Sequence, residues 1–425
     1  MRKALAILLV ITLLALMPAQ AIAGDWTAVR KDARHTSYTT DTLAPPLEPA
    51  WVNNAGNGVI GSAVISGNNV YYANGAGNSL IAADLATGKV QWIFPAGGSI
   101  ENTPALVNDT LIFGSYDGNV YRVRTSDGSL VWKSQVGDGM YSSPLVYENR
   151  VFTGTDGSNF YALDLATGKV VWKLERNTTQ ASPAGDQGKV FIGMHDGQVY
   201  ALDAATGNID WSYDTASQIH ASPMIFDGKV FIATRGGELF AFDESSGALL
   251  WKANLGYKAD ATPSADPGQG TVIVGTYGGY AKSFYANNGT LKWVSGYYGP
   301  IYSTLTVSGD AIYGVTQDGW MFALDREDGS GLWGIDVGGG AFASPVVANE
   351  YLVIGTLSSQ VIAFKASAVA ATPAPGASSP AQPDTSVLTS AMPANQPATP
   401  VQTPFPGALA AVSMLFMAFI LARRR

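Results

Sequence analysis

Eight positions in this chain of 425 residues share one context. Each stands two residues ahead of the Ser or Thr that opens a copy of a repeated strand: Ile60, Glu101, Tyr141, Gln180, His220, Asp260, Tyr302 and Phe342. Glu101, His220 and Asp260 are suited to holding a cation or a polar ligand. Tyr141 and Tyr302 add flat apolar contacts, and Gln180 adds an amide. The plain alternative is a water-filled channel lined by satisfied polar groups. A second variable set falls at hairpin tips, comprising Tyr116, His195, Arg235, Tyr277 and Gln317. Exposed aromatics and Arg are typical interface anchors, although tips are also where sequence drifts freely. The three histidines, His35, His195 and His220, lack metal-ligand spacing, and the chain has no cysteine. A zinc site and a thiol nucleophile are therefore not expected. The 48 glycines sit at turns rather than in a phosphate loop, and no G-x-S-x-G elbow occurs.

What must position these residues is a repeat. Trp51, Trp92, Trp132, Trp172, Trp211, Trp251, Trp293 and Trp333 recur every 39 to 42 residues. A fixed period of this length marks a repeat architecture. The third copy reads Ser143-Pro144-Leu-Val-Tyr, Arg150-Val-Phe-Thr-Gly154, Asn159-Phe-Tyr-Ala-Leu-Asp164 and Lys169-Val-Val-Trp172. Four short runs rich in β-branched and aromatic residues, bounded by Gly, Asn or Asp, predict four strands, A to D. Asp117-Gly118, Asp156-Gly157, Asp196-Gly197 and Asp318-Gly319 suit tight turns between B and C. Thr87-Gly88, Thr167-Gly168 and Thr206-Gly207 mark the C–D reversals.

Four-stranded antiparallel sheets repeated about an axis form a β-propeller. Equivalent positions then share one height, which gathers the first set into a ring near a channel mouth. Each Trp is expected to pack on the neighbouring blade. The last set of strands ends at Phe364 without a Trp, so the segment Leu47–Val52 should supply its outer strand. The expectation is an all-β, eight-bladed propeller over 24–365, closed by the N-terminal strand, with no exposed sheet edge.

The repeat A-x-D-x-x-T-G-x-x-x-W, seen at Ala162–Trp172, resembles the PQQ-like repeat shared by quinoprotein dehydrogenases and the BamB outer-membrane assembly lipoproteins. The opening Asp25–Thr40 resembles the strap ahead of the first blade in that group. The quinoprotein branch implies PQQ and calcium in the channel and an alcohol or sugar dehydrogenase activity. The cysteine pair and long loop insertions of those enzymes are missing here. The leading expectation is a non-catalytic platform without a cofactor, binding an envelope protein, peptide or glycan.

The ends address location. Met1-Arg2-Lys3, an apolar run and Ala21-Ile22-Ala23 read as a signal peptide over 1–23. Residues 366–404 are rich in Pro, Ala, Ser and Thr and predict an extended tether. Residues 405–425 combine Phe405-Pro406-Gly407, an apolar run predicted as a helix, and three arginines. This tail resembles archaeal PGF-CTERM sorting signals, and a plain membrane anchor gives the same surface attachment. Sequons at Asn108, Asn177 and Asn288 allow glycosylation. Setting aside Arg2, Lys3 and the terminal arginines leaves 20 basic residues against 33 acidic ones. That balance argues against nucleic acid as a partner. Nothing in the sequence fixes the oligomeric state.

Overall fold

The computed structural model describes residues 24–156, 159–176 and 181–368. The signal-peptide segment 1–23, the tether beyond Ala368 and the apolar tail lie outside the described residues, as do Gly157, the Asn177 sequon and Gln180.

The described chain folds into eight blades of four antiparallel strands, blade 7 gaining a fifth, parallel strand from Tyr38–Thr39 of the strap. Blade 3 shows the plan, with strands Leu145–Tyr147, Arg150–Gly154, Asn159–Asp164 and Val170–Glu175. The B and C strands of a blade lie between neighbouring sheets, so four consecutive residues of Asn159–Asp164 are buried. The D strand alternates between exposed and half-buried residues, the pattern of a strand with one face to solvent.

Blade 8 takes its outer strand from the start of the chain. Leu47–Asn54 pairs antiparallel with Gln360–Ala366, from Leu47 opposite Ala366 to Asn54 opposite Gln360. Leu47 and Trp51 are buried there. The borrowed strand and the eight-blade count agree with the spacing of the tryptophans.

One expectation fails. The outermost strand of each blade is a free sheet edge. These strands expose Leu130 and Val131, Val170 and Val171, and Leu249 and Leu250. Ring closure joins blades face to face, whereas hydrogen bonds within a blade run radially, so closing the ring cannot cover the outer edges.

The repeat motif is a latch between blades. Asp164 Oδ1 accepts from the Thr167 amide at 2.8 Å and from Thr167 Oγ1 at 2.6 Å, and the Gly168 amide donates to the Asp164 carbonyl at 2.8 Å. Those hydroxyl and amide donors hold the Asp164 carboxyl below its ordinary pKa. The reversal puts Gly168 at φ +71°, directly beneath the Trp132 ring of blade 2, where a Cβ would come 2.7 Å from a ring carbon. The Trp132 indole N–H donates to the Leu165 carbonyl of the same turn at 3.1 Å. The arrangement repeats from Trp51 on Gly88 to Trp293 on Gly329. Trp333 has no such seat, because blade 8 lacks a C–D turn of its own, and it meets Phe364 edge-on instead.

Ahead of the first blade, the strap runs around the bore. The Trp26 carbonyl accepts from Ile65, that of Thr27 from Leu106, Ala33 from Gly185, Arg34 from Ile225, Thr36 from Ala265 and Ser37 from Val307. Those amides are the inner edges of the A strands of blades 1, 2, 4, 5, 6 and 7. Asp41 Oδ2 then accepts from the Asn349 amide of blade 8 at 2.9 Å. The strap thus satisfies inner-strand donors that would otherwise be orphaned inside the channel.

Candidate functional site

The A strands of blades 1, 2, 4, 5, 6 and 7 descend the channel in the same order: mouth residue, hydroxyl, then strap contact three residues further on. The hydroxyls form a belt. The Ser62 amide donates to Thr103 Oγ1, Thr103 to Ser143 Oγ, Ser143 to Ser182 Oγ, Ser182 to Ser222 Oγ and Ser222 to Thr262 Oγ1, all at 2.8–3.0 Å. Thr304 donates to Ser344 Oγ, and Ser344 to Ser62 Oγ. The belt explains why a Ser or Thr opens every A strand. It ties the blades together at the axis at every step but that from Thr262 to Thr304, as the tryptophans tie them at the periphery at every step but that from Trp333.

Above the belt lie the mouth residues, all half-buried where described. The periodicity assigns mouth ring and hairpin tips to separate sets, and the structure joins them. The reason is topological: B–C hairpins and D–A connections emerge at the same end of a blade. The Arg235 amide donates to Gln218 at 2.9 Å and the Tyr277 amide to Lys258 at 2.9 Å, each fastening a hairpin to the connection entering its own blade. Tip side chains then lean onto the mouth residue of the next blade. The Arg235 guanidinium holds the Asp260 carboxylate through two bonds of 2.8 Å. The His195 and His220 rings lie 4.8 Å apart. Tyr277 meets Tyr302 edge-on at 5.2 Å, and Tyr302 meets Phe342 at 5.4 Å. Lys258 Nζ sits 3.7 Å over the Tyr277 ring, a cation–π contact that the sequence did not suggest.

Two halves of the rim differ in chemistry. On one side, burial and then Glu101 push the Tyr116 and Tyr141 phenols well above their usual range, so both are neutral donors. On the other, His220 falls to about 4 through burial, Arg235 and His195, against the pull of Asp260. Its Nε2 is buried without a hydrogen-bond partner. Because the folded value lies below the usual 6.5, stability from neutral His220 is complete above that pH and is lost as pH falls towards about 4. In an Arg235→Ala variant the largest charge opposing the Asp260 carboxylate is gone, leaving burial, His195 and Lys258 against it. His220 should then titrate at least one unit higher, read from its imidazole resonances. A value still near 4 would mean that Arg235 does not set it.

A cavity of about 90 Å³ runs from the mouth to the strap, lined by Glu101 and Tyr141 of the mouth, by Ser62, Thr103 and Ser143 of the belt, and by Val29 and Arg30 of the strap. Arg30 is silent in the periodicity because the strap lies outside the repeat. Its signal is local: Arg30, Lys31, Asp32, Arg34 and His35 crowd six positions of a chain that is only 14% charged. Among the described residues no three His, Asp or Glu side chains gather to hold a metal ion.

The sequence family described as outer membrane protein assembly factor BamB matches residues 94–183, 176–278 and 235–371. The chain belongs to the BamB family. Among functionally curated proteins nothing matches significantly. Among solved structures, BamB from Moraxella catarrhalis is 18% identical, with a TM-score of 0.67, covering 77% of this chain and 100% of that one. A europium-containing methanol dehydrogenase is 14% identical with a TM-score of 0.72, covering 81% of this chain and 98% of its own. The quinohemoprotein alcohol dehydrogenase of Comamonas testosteroni is 14% identical with a TM-score of 0.71 and 83% coverage of each chain. At these identities the likeness is one of fold, shared by BamB and by quinone enzymes alike.

Proposed function

We propose that this BamB-family chain is a non-catalytic binding platform of the cell envelope. It presents its rim to an envelope protein, a peptide or a glycan. The observation that carries this reading is the convergence of mouth and tip side chains into one rim on backbone that two sets of interblade ties hold rigid. A preformed rim loses little conformational entropy on binding. Its Tyr, Phe and His side chains offer large contact areas with few rotatable bonds, and Arg235 is already fixed by its two bonds to Asp260. Export through segment 1–23, display on the 366–404 tether and attachment through 405–425 belong to the same reading. Exposed Asn108 and Asn288 fit surface glycosylation.

The fold neighbours raise a quinone dehydrogenase as the second reading. The residues do not fit that cofactor pair. A cavity of about 90 Å³ is far below the roughly 300–1,000 Å³ that drug-sized ligands occupy. Calcium would also need several oxygen ligands converging on one point, and the acidic mouth residues Glu101 and Asp260 stand in different blades, Asp260 already engaged by Arg235. Titrating the protein with PQQ and calcium should leave its melting temperature unchanged, and a saturable rise would restore the enzyme reading. For the platform, the Tyr116→Ala/Arg235→Ala/Tyr277→Ala variant should lose, by tenfold or more, whatever crosslinked partner the native protein reproducibly holds on intact cells. Retention of that partner would remove the rim from the interface.

A further inference from the structure

The strap does more than seal the bore. Arg30 is enclosed by protein, yet its remaining surface faces the channel cavity. Its Nε donates to Thr304 Oγ1 of blade 7 at 3.0 Å. That contact falls at the step of the belt, between Thr262 and Thr304, where no amide-to-hydroxyl bond is seen. Its Nη1 is buried with no hydrogen-bond partner. Among the described residues no carboxylate pairs with it: the titratable group acting on it is the Tyr141 phenol, itself neutral, and burial draws the guanidinium down to about 10. At neutral pH this is a charged group without a counter-ion, an expensive arrangement unless something supplies one. The backbone bends to place it, since Arg30 at φ +55° and Lys31 at φ +85° both occupy the left-handed region.

The surroundings complete an acceptor site for an anion. Ser62, Thr103, Ser143 and Ser344 line the cavity, and each hydroxyl oxygen already accepts an amide bond. Their hydroxyl hydrogens are therefore available as donors toward the bore. His35, on the same strap, keeps its proton on Nδ1, because that atom meets the Pro223 carbonyl at 2.9 Å and a carbonyl can only accept. Burial, then Arg30, lowers His35 to about 3, so it adds no competing positive charge.

We propose that the floor of the channel binds one carboxylate group, held end-on by Nη1 and Nη2 of Arg30 and by hydroxyls of the belt. The cavity of about 90 Å³ has room for a carboxylate, since a single water needs only roughly 10–15 Å³ of such space. With Nε occupied, the two terminal nitrogens form the planar fork that a carboxylate meets in bidentate fashion. One cation balances one charge, and Glu101 above the site disfavours a dianion such as phosphate. The carboxylate could belong to a small free acid or to an acidic side chain or C-terminus threading the mouth. The site shares Glu101 and Tyr141 with the mouth, but the Arg30 and Thr304 variants leave the rim tips untouched, so either reading can fail without the other.

The test is calorimetric titration of the full exported chain with sodium acetate, against sodium chloride at matched ionic strength. Acetate should bind saturably with one site per chain, and phosphate at least tenfold more weakly. Arg30→Gln should weaken acetate by tenfold or more, Arg30→Lys by severalfold through loss of the fork, and Thr304→Val measurably through release of Nε. Should Arg30→Gln fail to fold, the Lys and Val variants carry the decision. Short peptides with a free C-terminus, with an amidated C-terminus, and amidated with one internal Glu separate the sources of the carboxylate: binding by the peptides above that of acetate identifies a threaded chain, and binding by acetate alone a free acid. Absence of a saturable acetate site, or one that these variants leave unchanged, overturns the proposal.

Discussion

Removal of residues 24–54 should abolish cooperative folding of the whole propeller, although it takes away one outer strand and a strap out of eight blades. The strand Leu47–Asn54 pairs along the full length of Gln360–Ala366 and buries Leu47 and Trp51. Trp51 is also the latch from blade 8 to blade 1, with its indole N–H on the Leu85 carbonyl at 2.7 Å and its ring on Gly88. Large side chains contribute about 1.5–3 kcal/mol each on burial, and each ladder bond about 1 kcal/mol net. Their sum is on the order of 10 kcal/mol, similar to the whole stability of a typical domain at about 5–15 kcal/mol. The truncated chain should therefore show no cooperative transition in thermal or denaturant melts. A permutant that places residues 47–54 after Ala366 through an Asp-Leu-Ala-Thr-Gly turn, retaining the strap, should recover one. A truncated chain that still melted cooperatively would show that the ring does not depend on its closure.

The second large effect should come from a single methyl group at the latch. Gly168 and Gly228 have almost the same backbone conformation, φ +71° and +66°. A Cβ at Gly168 would lie 2.7 Å from the Trp132 ring, whereas at Gly228 nothing stands within 4 Å. Gly228→Ala thus reports the cost of a left-handed alanine alone, about 1 kcal/mol. Gly168→Ala adds displacement of the indole and strain on its bond to Leu165, and should cost about 2–4 kcal/mol in total. Gly168→Val should be worse still, since β-branched residues tolerate this conformation least. Denaturant midpoints of the two alanine variants decide the matter. Equal losses would mean that the tryptophan yields freely and the latch carries little energy.

These latches are also why the fold is legible. A tryptophan and a glycine about 35 residues apart are a contact written into the sequence, and its repetition gives both the blade count and the missing strand. The hydroxyl at the head of each A strand is visible as a marker, but not as a belt, because its bond partner is an amide 40 residues away that carries no residue identity. The mouth ring can be placed at one height by symmetry. Its pairing with the tips cannot, since Arg235 meets Asp260 and His195 meets His220 only through the lean of one blade onto the next. Arg30 lies beyond the repeat, and its role follows from the path of the strap alone. The expectation of covered outer edges fails because closure of a ring is not closure of its sheets.

That last point sharpens the central claim, since the outer D strands offer a rival docking surface by strand addition. A photo-crosslinking residue at Tyr277, on the rim, can be compared with one at Leu250, on the outer strand of blade 5, in protein displayed on intact cells. The account predicts a discrete, reproducible adduct from position 277 and none from position 250. An adduct from position 250 alone would place the partner on the edge of a blade and contradict the rim as the binding surface.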